Sequence, residues 1–288
     1  MSPRLRLALL SLGFALGFAL PVHAQASELE LTVPSLEQRA GHALALRAHW
    51  FAADATATRR PALVLLHGCG GAYQGSGRLS ARMTEMAGLL NAQGWHVLVL
   101  DSFGARGEKS ICTQRIGTRA ITMANRRLDA LGALQWLATR PEVDASRLAL
   151  IGWSNGGSTV LAASDLNVAA VRQGPRPRAL VAFYPGCAAE LARHYRPSAA
   201  LLMLLGEDDD WTPAADCKAL AAASADPKPE WESYAGAYHG FDGPPPVKLR
   251  KDVPNGAHPG AGVHVGGQPQ AAEQSRKRLL NFLHTQLD

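Results

Sequence analysis

Strong charge of either sign is missing from this 288-residue chain. Lys and Arg number 29 against 24 Asp and Glu, a formal net of +5. The basic residues are scattered, and pairs such as Arg59-Arg60 and Arg126-Arg127 read as solvated faces or edges. That excludes the basic stripe a nucleic-acid partner would need. Long apolar runs are missing too. The longest, Leu7 to Leu20, has 14 residues, short of the about 20 that span a bilayer. Phosphate-binding signatures are absent: no Gly-Lys-Ser/Thr occurs in a glycine-rich loop, and the G-x-G-x-x-G spacing from Gly68 puts Tyr73 where the third glycine belongs. The chain has no internal repeat and no long low-complexity tract. Cysteine is scarce, with Cys69, Cys112, Cys187 and Cys217 the only four.

The short apolar run has a basic start, Arg4 and Arg6, and small residues after it, Ala24 and Ala26. Those are the parts of a secretory signal peptide, expected over residues 1–24 with cleavage after Ala24 or Ala26. An uncleaved anchor is the alternative. Cleavage removes two basic residues and no acid, leaving 27 against 24. The remainder, 25–288, is long enough for one sizeable core and is expected to form a single domain of periplasmic or secreted location, with no stable membrane insertion.

Apolar runs alternate with helical patterns. Leu29–Val33 and His42–Trp50 alternate loosely, as an antiparallel pair at a sheet edge would. Pro61–Leu66, Trp95–Asp101, Arg147–Gly152, Arg178–Tyr184 and Ala199–Leu205 read as buried strands, with Trp231–Ala235 as a last short one. Helices are expected over Ser80–Ala92, Ile121–Leu137, Ala214–Ala225 and Ala271–Leu287. Strand–helix alternation predicts an α/β fold, a mostly parallel sheet covered on both faces. Function in such sheets lies at the carboxyl ends of the strands.

The stretch Gly152-Trp153-Ser154-Asn155-Gly156 reads G-x-S-x-G at a strand-to-helix turn. A serine there is held on a sharp, strained turn with its hydroxyl off the sheet. It needs a neutral imidazole to take its proton and a carboxylate to orient that imidazole. In this architecture the chain order is serine, acid, histidine. After the Ala199–Leu205 strand comes Gly206-Glu-Asp-Asp-Asp-Trp-Thr-Pro213. Its spacing favours Asp209 as the acid, with Asp210 and Asp208 as fallbacks; for some of the four acids the expected role is a solvated loop capping the helix at Ala214. Of the later histidines, His239 follows the last strand in Tyr238-His-Gly-Phe-Asp and is the expected base. His284 falls in the terminal helix, on the surface. His258 and His264 lie in a Gly/Pro-rich loop, and their spacing matches no usual metal-ligand pattern. No metal or organic cofactor is called for. The oxyanion of acyl transfer needs backbone N–H donors, and Asn155 with Cys69 of the loop His67-Gly-Cys-Gly-Gly are the candidates. An even cysteine count in an exported chain suggests bridges, with free thiols as the alternative. Cys69 and Cys112 follow neighbouring strands, as do Cys187 and Cys217, so bridges 69–112 and 187–217 are expected.

Taken together, His67-Gly-Cys-Gly-Gly, Asp101-Ser-Phe with Arg106-Gly107, Gly152-Trp-Ser-Asn-Gly, Gly206-Glu-Asp-Asp-Asp-Trp-Thr-Pro and Tyr238-His-Gly-Phe resemble the dienelactone hydrolase family of α/β-hydrolases, from about Pro61 onward. The resemblance implies an α/β-hydrolase fold, an eight-stranded, mostly parallel sheet with little or no lid. It also implies hydrolysis of a small-molecule ester through Ser154, Asp209 and His239. The founding members use cysteine as nucleophile, so serine here makes dienelactone itself a doubtful substrate. The Arg106 loop resembles the place where those enzymes hold a substrate carboxylate; binding of that group and pinning of the loop are the two roles open to Arg106. A peptidase or thioesterase on the same triad is the alternative activity, and a non-catalytic binding protein of the same fold the alternative class. The segment Asp242–Gln270, rich in Pro and Gly, is too long for an ordinary connection and either borders the substrate or wraps the surface.

Overall fold

The computed structural model describes residues 28–54 and 58–288. The expected signal peptide lies outside the described residues. Among the described residues no helix is long and apolar enough to cross a membrane.

Eight strands form one sheet: β1 (Glu28–Arg39), β2 (His42–Phe51), β3 (Arg60–Leu66), β4 (His96–Leu100), β5 (Val143–Trp153), β6 (Ala179–Phe183), β7 (Ala200–Gly206) and β8 (Glu230–Tyr234). Their spatial order is β1-β2-β4-β3-β5-β6-β7-β8. The first two strands pair antiparallel, as their alternation predicts, and β2 meets β4 antiparallel; every later pair is parallel. The helices are α1 (Ala81–Asn91), α2 (Met123–Ala138), α3 (Asn155–Ala162), α4 (Ala169–Gln173), α5 (Ala188–Ala192), α6 (Ala214–Ala223) and α7 (Pro269–Leu287). The four helices expected from sequence match α1, α2, α6 and α7 to within two residues at each end. The five-residue helices α4 and α5 had no periodicity to announce them.

The central strands are apolar along the stretches paired deep in the sheet, residues 62–66, 97–100 and 148–153 among them, because both faces are covered there. Side chains of β3 alternate between two cores. Val64 and Leu66 pack with Leu131 and Leu134 of α2 and with Val160 and Leu161 of α3. Leu63 and Leu65 face Met83 and Met86 of α1 and Leu279 and Phe282 of α7. Helix α2 starts at a capping box, in which Thr122 and Asn125 satisfy each other's end of the turn.

The segment 242–270 is not a bare loop. It carries a small antiparallel hairpin, β9 (Lys248–Arg250) with β10 (Val263–Val265). β10 is tied back to the main body where Gly266 N–H donates to the His239 carbonyl at 3.0 Å.

Both expected disulfides are present. Cys69–Cys112 and Cys187–Cys217 close spans of 43 and 30 residues, and no free cysteine remains among the described residues. The first joins the loops after β3 and β4, and the second ties Cys187, just before α5, to Cys217 in the first turns of α6.

Candidate active site

The turn from β5 into α3 forces the backbone of Ser154 to φ +54°, a left-handed conformation that costs a side-chain-bearing residue about 1–3 kcal/mol. Its neighbours explain the flanking glycines. A Cβ on Gly152 would sit 2.1 Å from the Gly156 carbonyl oxygen, and one on Gly156 would sit 2.0 Å from that of Leu66. The strained turn is fastened by Ser154 N–H donating to Phe183 O at 2.9 Å and by Ser158 N–H donating to Ser154 O at 2.8 Å.

Three side chains from three strand ends meet there. The Ser154 Oγ lies 2.8 Å from His239 Nε2, and His239 Nδ1 lies 2.8 Å from Asp209 Oδ2. Asp209 and His239 are buried. The other carboxylate oxygen, Oδ1, accepts the backbone N–H groups of Trp211 and Thr212 at 2.8 Å each. Thr212 Oγ1 also reaches Asp209 Oδ2, at 3.0 Å. The imidazole is gripped between Tyr184, edge-on at 4.7 Å, and Trp211, at 4.6 Å between centroids. The arrangement can pass a proton from the serine hydroxyl to an imidazole whose far N–H is held by a fixed carboxylate.

The neighbouring acids face elsewhere. Asp210 binds His264, through Nδ1 at 2.7 Å and the backbone N–H at 2.8 Å, and so anchors the β9–β10 hairpin. Glu207 pairs with Lys218 at 2.7 Å, and Asp208 is exposed. His264 is thus spent on a carboxylate. His258 is exposed, and His284, half-exposed, bonds Gln93 and Asp288. No cluster of metal-ligating side chains occurs among the described residues.

The backbone N–H groups of Cys69 and Asn155 donate to no protein acceptor among the described residues. The first lies in the loop after β3, clamped by the Cys69–Cys112 bridge and by Ile111 N–H donating to Cys69 O at 2.9 Å. The second is the first residue of α3, where a helix leaves its N–H without an internal partner. In the same loop the buried His67 donates from Nδ1 to Gly68 O at 2.8 Å and accepts Ser102 N–H on Nε2 at 3.2 Å. Burial and the nearby Arg126 cation push its pKa well below the ordinary imidazole value, so it stays neutral with the proton on Nδ1.

Arg106 departs from one of its two anticipated roles. It does not line the clefts beside Ser154. Its guanidinium is buried, donating to Ser102 O at 2.6 Å, to both Asp129 oxygens at 2.8 Å and to Glu37. Every one of these acceptors is internal, so the carboxylate-binding role is corrected to that of a loop pin. The wholly buried Asp129 also accepts Ser35 Oγ at 2.7 Å.

Two polar residues carry more than the sequence disclosed. Asp242 sits beside the β5–α3 turn that holds Ser154 and accepts Trp153 Nε1 at 2.8 Å, Tyr184 Oη at 2.7 Å and the Arg82 guanidinium at 3.1–3.2 Å. Arg126, fully buried on α2, reaches the same turn from the α2 side of the sheet through the Asn155 side chain. Asp242 is marked in sequence only as an acid three residues after His239. Arg126 corrects the reading of the Arg126-Arg127 pair as a solvated face or edge: it is wholly buried because its guanidinium is taken up by Asn155 and the His67 carbonyl.

Two clefts adjoin the serine. One of about 360 Å³ is bordered by Cys69, Ser154, Asn155 and the loop Pro254–Pro259. The other, about 580 Å³, runs beside it past Ile121, Met123, Ala188 and Pro213, with Arg119 and Glu190 on its wall. Ile116, 73% exposed, stands at the rim of both.

A family model described as the dienelactone hydrolase family matches residues 47–287. Among solved structures, one of a dienelactone hydrolase from Anabaena variabilis is similar with a TM-score of 0.63 at 15% identity, covering 92% of this chain and 100% of that one. A dienelactone hydrolase-like promiscuous phosphotriesterase from metagenomic libraries gives 0.63 at 21%, covering 91% and 99%. An esterase from Thermogutta terrifontis, solved with propionate bound, gives 0.59 at 16%, covering 91% and 94%. At such identities the likeness is one of fold. No curated protein matches the chain.

Proposed function

The chain belongs to the dienelactone hydrolase family and is a hydrolase; from that premise we propose that it is an exported serine hydrolase of carboxylic esters. The observation that carries the proposal is the unbroken hydrogen-bonded line from Asp209 through His239 to Ser154, 2.8 Å at each link. His239 Nε2 takes the hydroxyl proton as Ser154 Oγ attacks the ester carbonyl carbon. Its Nδ1–H stays on Asp209 Oδ2, which offsets the positive charge forming on the ring. The carbonyl oxygen becomes an oxyanion and is received by the Cys69 and Asn155 N–H groups, donors worth about 2.7–4 kcal/mol each. Collapse expels the alkoxide, which leaves with the proton from Nε2, and an acyl group remains on Ser154. Water then enters, gives its proton to His239 and releases the acid, restoring the serine.

Two disulfides fit an oxidising compartment, which supports a periplasmic or secreted location together with the signal-like start of the sequence. Residues 25–288 are read as one unit. The buried triad acid and the free amide donors favour catalysis over a binding role.

The test is Ser154→Ala against the wild type, with a fluorophosphonate label and p-nitrophenyl acetate. Wild-type protein should be labelled at Ser154 and turn over the ester, and the variant should do neither. Equal turnover by the two proteins would refute the nucleophile.

A further inference from the structure

Arg126 is a cation with no exposed surface. Taking a charge out of water is costly, and buried charges are ordinarily paired with an opposite charge. Among the described residues no carboxylate lies within hydrogen-bonding distance of Arg126, although Asp129 and Asp101 are near enough to act on its charge. Its guanidinium spends itself on two neutral oxygens instead: Nη1 donates to Asn155 Oδ1 at 2.5 Å and Nη2 to the His67 carbonyl at 2.8 Å. Nε has no partner. The Phe103 ring lies 5.2 Å from the guanidinium carbon and packs edge-on against His67 at 4.5 Å. Burial lowers the guanidinium pKa to about 10, which leaves it charged at neutral pH.

Those two acceptors belong to the two segments that carry the free N–H groups. Asn155 bears one donor itself, and His67 lies two residues before Cys69, which bears the other. A planar fork with fixed N–H directions holds both segments at one spacing. The same fork places a full positive charge behind the point where an oxyanion would form, in a dry interior where charge is weakly screened. The geometry points to Arg126 as a positioning residue of the oxyanion hole, setting the spacing of its Cys69 and Asn155 donors and holding a permanent positive charge behind them.

This rests on the reading of Ser154 as nucleophile. The experiment compares wild type, Arg126→Lys and Arg126→Gln in kcat and KM on p-nitrophenyl acetate, and in Ki for an alkyl trifluoromethyl ketone, which forms a tetrahedral adduct on the serine. Glutamine should lower kcat by about 10- to 100-fold, below the loss for deleting a whole donor, with KM within about twofold. The ketone Ki should rise in step with the fall in kcat/KM. Lysine, with charge but no fork, should fall between the two. If Arg126→Gln does not fold, Asn155→Ala removes one of the two grips while keeping the N–H, and should weaken ketone binding by about tenfold. Unchanged ketone affinity in a folded variant, or a rise in KM that accounts for the whole effect, would overturn the inference. Failure of the wild type to take a fluorophosphonate at Ser154 would instead sink the functional reading beneath it.

Discussion

Asp209→Asn is the substitution that tests the proton relay most sharply, because the surroundings dictate how the new amide must sit. Asp209 Oδ1 accepts two backbone N–H groups, from Trp211 and Thr212, each at 2.8 Å. An amide nitrogen cannot take that place without facing two donors. The asparagine oxygen therefore stays on the backbone pair, and its NH₂ turns to His239. Facing a donor, His239 Nδ1 must accept, so its proton moves to Nε2 and points at Ser154. The imidazole is then a donor where a base is needed. Such a tautomer error costs about 10⁴-fold in kcat in serine-protease triads, or about 5 kcal/mol of barrier. The fold keeps both backbone bonds to residue 209, so stability should shift by only about 1 kcal/mol. The assay is kcat on p-nitrophenyl acetate beside a thermal melt, with Asp210→Asn as control. Asp210 serves His264 and the hairpin, so its amide should leave kcat within about threefold, as surface changes away from the chemistry do. A folded Asp209→Asn enzyme within tenfold of wild type, or an Asp210→Asn enzyme as poor as the Asp209 variant, would refute the reasoning.

Three other outcomes are expected. Replacing Cys69 and Cys112 together by serine should cost about 4 kcal/mol of stability in the chain-entropy picture, read by urea melts, and should lower kcat because the Cys69 donor loses its clamp. Arg106→Met strands the wholly buried Asp129 carboxylate and should destabilise by about 3–5 kcal/mol, while the KM ratio of anionic to neutral esters stays as in wild type; selective loss of anionic esters would restore Arg106 to substrate binding. His67 stays neutral when folded, whereas the unfolded chain takes up a proton there below about pH 6.5. Its lowered folded pKa thus makes stability fall as pH drops below that value, by up to about 1.4 kcal/mol per unit. Urea melts at pH 7.5 and 5.5 should show that slope in the wild type and a shallower one in His67→Gln.

The layout of the sheet was legible because it is written in local signals. Apolar runs with no alternation mark strands covered on both sides, and Gly152 and Gly156 mark a turn in which no Cβ fits. The order Ser154, Asp209, His239 could be read from strand ends, and the choice of Asp209 among four acids came from spacing alone. Roles that depend on partners far along the chain were not legible. Asp129 meets Arg106 23 residues away and Ser35 94 away, and Arg126 meets His67 59 away; each looks in sequence like one more charge on a helix. Arg106 shows the same limit from the other side, since its motif suggested a carboxylate and the fold supplies one from within. The β9–β10 hairpin escaped notice because its strands have three residues each in a Gly/Pro-rich stretch, too short for any period to show.

That hairpin also divides the labour of the molecule. Its stem is fixed by pairing and by the Asp210–His264 link, and its tip alone delivers Pro254, Asn255, Gly256 and Pro259 to the mouth beside Ser154. The tip is itself fastened, by Ala257 N–H donating to Asp210 O at 2.8 Å and by Asn255 bonding the Gln114 carbonyl and the Ile116 N–H, so this wall of the mouth is braced at its crest as well as at its base.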